Sequence, residues 1–80
     1  MQTIFVSVKC ELGKAYQVAD DLVQKVAEVS EVYSTSGQYD LLLKAYLADD
    51  QDIGHFVNDS IQTVSGIADT FTTIAFKAFT

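Results

Sequence analysis

The sequence predicts an α+β domain whose six elements run β-α-β-β-α-β, with two helices on one face of a four-stranded antiparallel sheet. Three observations carry this expectation. At both ends of the chain, over Thr3–Cys10 and Ile67–Phe79, side-chain character alternates with the period of two that marks a strand. Two inner stretches, beginning near Lys14 and at Ile53, instead repeat apolar residues at helical spacing. Between them, two strand-like runs are separated only by a turn at Gly37 and Gln38. Two crossovers through helices, joined by a central hairpin, give the ferredoxin-like split βαβ arrangement. Right-handed crossovers then place both helices on the same side of the sheet.

Each element can be justified in turn. In Thr3–Cys10, Ile4, Val6, Val8 and Cys10 share one face and Thr3, Phe5, Ser7 and Lys9 the other. Glu11-Leu12-Gly13 breaks the strand, and a helix is expected from about Lys14 to Glu28, with Tyr16, Ala19, Leu22, Val23, Val26 and Ala27 as its apolar side. Asp21 and Lys25 are an i,i+4 pair in the favourable order. A second strand is expected over Glu31–Ser36 and a third over about Tyr39–Ala48. The third is apolar on both faces, and so normally covered on both. Asp49-Asp50-Gln51-Asp52 reads as a helix start, one aspartate capping free N–H groups. Calcium is the alternative occupant, but the spaced ligands and glycine of an EF-hand are missing. Ile53, Phe56, Val57, Ser60, Ile61 and Val64 mark the second helix, Gly66 is placed to stop it, and Ile67–Phe79 is the last and longest strand.

Eighty residues without proline leave room for one small domain over positions 1–80. A chain of this size buries only roughly 60–65% of its unfolded surface, yet 49% of the residues are apolar. The sheet face without helices would carry residues such as Phe5, Tyr33 or Phe76, and pairing of two sheets in a dimer would cover them. Eleven acidic residues against five lysines, with no arginine, argue against nucleic acid and anionic membrane as partners. The lone Cys10 is expected to be a buried structural thiol. Neither a signal peptide nor a membrane span is recognisable, so a cytoplasmic protein is expected.

Catalytic chemistry has little support in the residues. His55 is the single histidine and reads as a surface helix residue. No nucleophile motif, phosphate-cradling loop, metal-ligand spacing or cofactor signature is present. The stretch Ser34-Thr35-Ser36-Gly37-Gln38-Tyr39-Asp40 is the best candidate for a small-molecule site, although a plain structural turn explains its composition equally well. A second polar cluster, Asp69-Thr70-Phe71-Thr72-Thr73, favours the ligand. Hydroxyls from both clusters, the Asp40 carboxylate and N–H groups near Gly37 would suit the ammonium and carboxylate of an amino acid.

Gly37-Gln38-Tyr39-Asp40-Leu41-Leu42-Leu43, Phe56-Val57 and Gly66-Ile67-Ala68-Asp69-Thr70-Phe71-Thr72 together resemble the effector-binding (RAM) domain of the Lrp/AsnC family. The likeness extends over nearly the whole chain, with Ile67 where the family motif has valine. It implies a ferredoxin-like βαββαβ domain that dimerises through its sheets and assembles into rings, commonly octamers, with amino-acid effectors where dimers meet. By position, Gly37, Tyr39 and Asp40 match the effector-contacting turn, and Thr70, Thr72 and Ile74 match the last-strand residues lining the same region. Ser34 and Ser36 are secondary candidates. The family's regulators carry an N-terminal helix-turn-helix domain, whereas this sequence starts with Met1 at the first RAM strand. A stand-alone module is therefore expected, one that senses an amino acid or co-assembles with a full-length regulator and does not itself bind DNA. Two alternatives stand beside it: a small dimeric monooxygenase-type enzyme with a pocket lined by Tyr16, Tyr33, Tyr46 and His55, and an assembly module without ligand.

Overall fold

The computed structural model describes residues 1–80. Its elements are β1 (Gln2–Cys10), α1 (Ala15–Lys25), β2 (Val29–Ser34), β3 (Leu41–Leu47), α2 (Ile53–Phe56, continuing through a wider π-helical turn, Val57–Ile61) and β4 (Ile67–Ala75). They form one four-stranded sheet in the order β2-β3-β1-β4, with every neighbouring pair antiparallel. This is the expected βαββαβ architecture.

Register decides which side of each strand is buried. Ile4, Val6 and Val8 lie opposite Ala45, Leu43 and Leu41. All six are at most 1% exposed, beneath Val18 and Leu22 of α1 and Phe56, Val57 and Ile61 of α2. Fully burying each large aliphatic side chain contributes about 1.5–3 kcal/mol, and this layer is the source of the fold's stability. Thr3, Phe5, Ser7 and Lys9 therefore face away from the helices, together with Leu42, Lys44 and Tyr46 of β3 and Phe71 and Thr73 of β4. This open face carries Tyr33 and Phe71 at 54% and 59% exposure. Across it the Tyr33 hydroxyl donates to Glu31, and the Lys44 ammonium lies 3.9 Å from Glu31 and 5.1 Å from the Tyr46 ring centre. The bond to Glu31 and that carboxylate's charge raise the Tyr33 phenol above its ordinary pKa, and the bond to Tyr46 raises Lys44.

Several boundaries differ from the sequence expectation. Helix α1 ends three residues early because Val26 turns extended (φ −112°, ψ 103°), which lets β2 begin at Val29 rather than Glu31. Its buried stripe is Val18, Leu22 and Val26, rotated away from Tyr16 and Val23, which are exposed. On α2, Asp52 caps the helix as expected, its carboxylate accepting the His55 N–H at 2.8 Å. The Asp21–Lys25 pair forms at 3.4 Å. Helix α2 stops at Ile61, and Gly66 (φ 97°) instead turns the chain into β4, its carbonyl accepting the Glu11 N–H at 2.8 Å. Strand β4 ends at Ala75, opposite Thr3, because β1 has almost no residues left to pair with. Phe76 therefore lies beyond the sheet, 97% exposed, rather than within its open face. No helix is long and apolar enough to cross a membrane.

Candidate functional site

The turn between β2 and β3 is closed by the Thr35 N–H donating to the Asp40 carbonyl at 3.0 Å and the Thr35 hydroxyl donating to the Tyr39 carbonyl at 3.1 Å. Gly37 (φ 99°) supplies the left-handed backbone that the tip requires. Asp40 reaches across to β1: its N–H donates to the Val8 carbonyl at 2.9 Å and its carboxylate accepts the Cys10 N–H at 2.8 Å. The Cys10 N–H points, like the Val8 carbonyl, to the β3 side of β1, where pairing stops at Val8 opposite Leu41, so it has no ladder partner and the carboxylate replaces one. Burial first, then the nearby Asp40 charge, raise the Cys10 thiol above its ordinary pKa, with Lys9 opposing. The Lys9 ammonium donates to the Gln38 carbonyl at 3.2 Å, and the Tyr39 ring lies 6.4 Å from that of Phe71. Lys9 and Phe71 stand on the open face of the sheet, so the Tyr39 side of the turn belongs to that face.

The last-strand candidates point the other way. Thr70, Thr72 and Ile74 oppose Val8, Val6 and Ile4, on the helix side of edge strand β4. Thr72 and Ile74 line an open cleft of about 520 Å³ between β4 and α2, whose other walls are Ile53, Gly54, Val57, Asn58 and Gln62. Gln62 donates its amide N–H to the Thr70 hydroxyl at 2.7 Å, tying helix to strand at the cleft's end. Its backbone N–H bonds the Val57 carbonyl at 2.8 Å, five residues back, closing the π turn. Single π turns within helices recur at functional sites. Here the wider turn keeps Val57 and Ile61 in the core while Asn58 and Gln62 reach the cleft.

Within one chain, then, the two groups of candidates do not form one pocket. Gly37, Tyr39 and Asp40 gather at one end of β1, while Thr70, Thr72 and Ile74 lie across the sheet. Ser34 opposes Leu41 at the end of β2, and Ser36 is exposed in the turn. The α2 wall was missed in the sequence reading. Its signal was present: Gly54, Asn58 and Gln62 form an uncharged stripe at i, i+4 and i+8, beside the apolar one. Tyr16, Tyr33, Tyr46 and His55 are dispersed. Tyr33 and Tyr46 stand on the open sheet face, whereas Tyr16 and His55 are on the two helices. They enclose no pocket.

An edge-strand cleft under a π-turned helix, on a sheet whose other face is open and aromatic, has the form of a ligand-binding domain. The comparisons place it. The model of the Lrp/AsnC ligand binding domain matches residues 3–80, and the chain belongs to that family. The HTH-type transcriptional regulator FL11 of Pyrococcus abyssi is 36% identical over 73 residues, 91% of this chain and 47% of FL11. The chain thus spans about half the length of the curated relatives it matches. Among solved structures, FFRP-DM1 superposes with a TM-score of 0.86 at 32% identity, covering 95% of this chain and all of that one. The transcriptional regulator NMB0573 of Neisseria meningitidis, in complex with L-Met, superposes with a TM-score of 0.84 at 25% identity, covering 99% of this chain and 52% of that one. The family model describes a ligand-binding domain, and FL11 is a transcriptional regulator and not an enzyme.

Proposed function

We propose that this domain binds a free amino acid and that binding controls its assembly. The observation that carries the reading is the β4–α2 cleft, whose volume of about 520 Å³ falls in the usual range for small-molecule sites. Its walls combine aliphatic side chains with neutral hydrogen-bonding groups, as an amino acid requires. NMB0573, a structural neighbour, is an L-Met complex. Because Tyr39 and Thr72 lie on opposite sides of the sheet, one effector can touch both only if they come from different copies. In this proposal Thr70, Thr72 and Ile74 of one copy meet Gly37, Tyr39 and Asp40 of a neighbour, with Ser34 and Ser36 flanking. Pairing of the open sheet faces forms the dimer, and the effector sits where dimers meet in a ring such as an octamer. A full-length regulator of the same family is a further partner that such a surface would accept.

The test is thermal unfolding against all twenty amino acids, with light scattering on the same samples. An effector at 100 times its Kd stabilises the folded assembly by about 2.7 kcal/mol. A flat panel from a stable oligomer would rule out the sensor and leave an assembly module without ligand.

A further inference from the structure

The chemistry of the cleft narrows the effector. Resting on the amino-acid reading above, we infer that Asn58 and Gln62 read the effector's side chain and that this side chain is uncharged. The cleft is walled by Ile53, Val57 and Ile74 on the apolar side and by Asn58, Gln62 and Thr72 on the polar side, with Gly54 leaving space. None of the seven lining residues is charged, in a chain where 20% of residues are and whose net charge is −6.

The acidic groups nearest in sequence flank the cleft without lining it, and each already accepts an N–H. Asp52 accepts the His55 N–H at 2.8 Å, Asp69 accepts the Thr70 N–H at 2.9 Å, and Asp59 accepts an amide N–H of Asn58 at 3.1 Å. A lysine or arginine side chain entering the cleft would meet amide and hydroxyl dipoles but no counter-charge among the seven residues that line it. An aspartate or glutamate side chain would meet no cation. Burying an unpaired charge costs far more than burying a neutral polar or thioether group.

The two amides are also held in place. Gln62 spends one N–H on Thr70 at 2.7 Å and Asn58 spends one on Asp59 at 3.1 Å. Each retains a carbonyl acceptor and a second N–H donor. Neutral side chains that are apolar at the stem and weakly polar beyond it fit this set, and methionine, leucine and glutamine are the probes it selects.

Titration calorimetry of the intact oligomer with Met, Leu, Gln, Lys, Arg, Asp and Glu tests the assignment. At least one neutral amino acid should bind, and every charged one should bind at least about tenfold more weakly. Gln62→Glu should reverse the order, gaining lysine or arginine binding and losing affinity for the neutral effector. Asn58→Asp provides the same test at the neighbouring position should the first variant lose its fold by circular dichroism. Binding of a charged amino acid to the unmodified protein as tightly as the best neutral one would overturn this inference and leave the amino-acid reading intact. An unchanged order of preference in both folded variants would overturn it too. Absence of binding by every amino acid would overturn both readings together.

Discussion

Replacing Asp40 separates its work in the fold from its proposed work on a ligand. The carboxylate accepts the N–H of Cys10 at 2.8 Å, on the β3 side of β1 and past the last β1–β3 pair, Val8 and Leu41, where the ladder offers that N–H nothing else. A hydrogen bond to a charged group contributes about 1.5–3 kcal/mol, and its loss in Asp40→Ala leaves a part-buried donor unsatisfied. For a domain of this size each kcal/mol moves Tm by about 4–8 °C, so Asp40→Ala should melt roughly 6–24 °C lower. Asp40→Asn keeps an oxygen that can accept the same N–H and gives up only the charge. It should cost less than about 1 kcal/mol. The assay is calorimetric melting at one fixed protein concentration, since assembly makes Tm concentration-dependent. If Asp40→Ala melts with the unmodified protein, or Asp40→Asn falls as far as Asp40→Ala, the carboxylate is not a staple between strands. Ligand binding is then best assayed in Asp40→Asn, which should retain the fold but lose affinity for the effector's ammonium.

Three further outcomes are expected. Gly66→Ala should destabilise more than Gly37→Ala in urea unfolding: both have positive φ, but a Cβ at Gly66 would stand 2.9 Å from Val18 Cγ2 while one at Gly37 meets open space. The backbone penalty alone is about 1–2 kcal/mol at each site, and equal losses would show that the close approach to α1 is immaterial. Phe71→Glu, at a residue 59% exposed, should leave circular dichroism unchanged yet shift sedimentation toward monomer, and an unshifted oligomer would exclude the open face from the dimer. The raised thiol pKa of Cys10 makes a stability contribution that is complete below the usual thiol range of about 8.5 and is lost as pH rises through the folded-state value. Denaturant unfolding at pH 7 and pH 10 should therefore show a smaller alkaline decline in Cys10→Ala than in the unmodified protein, and identical declines would refute the linkage.

Element order and type were legible because the patterns that encode them are local. Ile4, Val6 and Val8 show their strand by period alone, as Ile53, Phe56, Val57 and Ile61 show their helix. What was not legible depended on partners distant in sequence. Phe76 continues the alternation of β4, but a strand persists only while a neighbour pairs with it, and β1 ends first. Tyr16 and Val23 have apolar rings or branches at helical spacing, yet the sheet sets the rotation of α1, and it selects Val18, Leu22 and Val26. The turn at Gly37 to Asp40 and the threonines of β4 could be singled out by type. That they occupy opposite sides of the sheet follows only from register. The π turn left no trace in periodicity, since inserting one residue into a helix this short resembles ordinary drift.

Strand β4 has one more consequence. It lies at the edge of the sheet, bonded to β1 alone, and its residues serve two surfaces by turns: Thr70, Thr72 and Ile74 on the helix side, Phe71 and Thr73 on the open side. Neighbouring residues of a strand share a peptide bond, so the two surfaces are separated by a single backbone. Any tilt or slide of β4 imposed at Thr72 moves Phe71 and Thr73 in the same step, with no chain of packed side chains needed between them. In this domain the shortest path from cleft to open face is covalent.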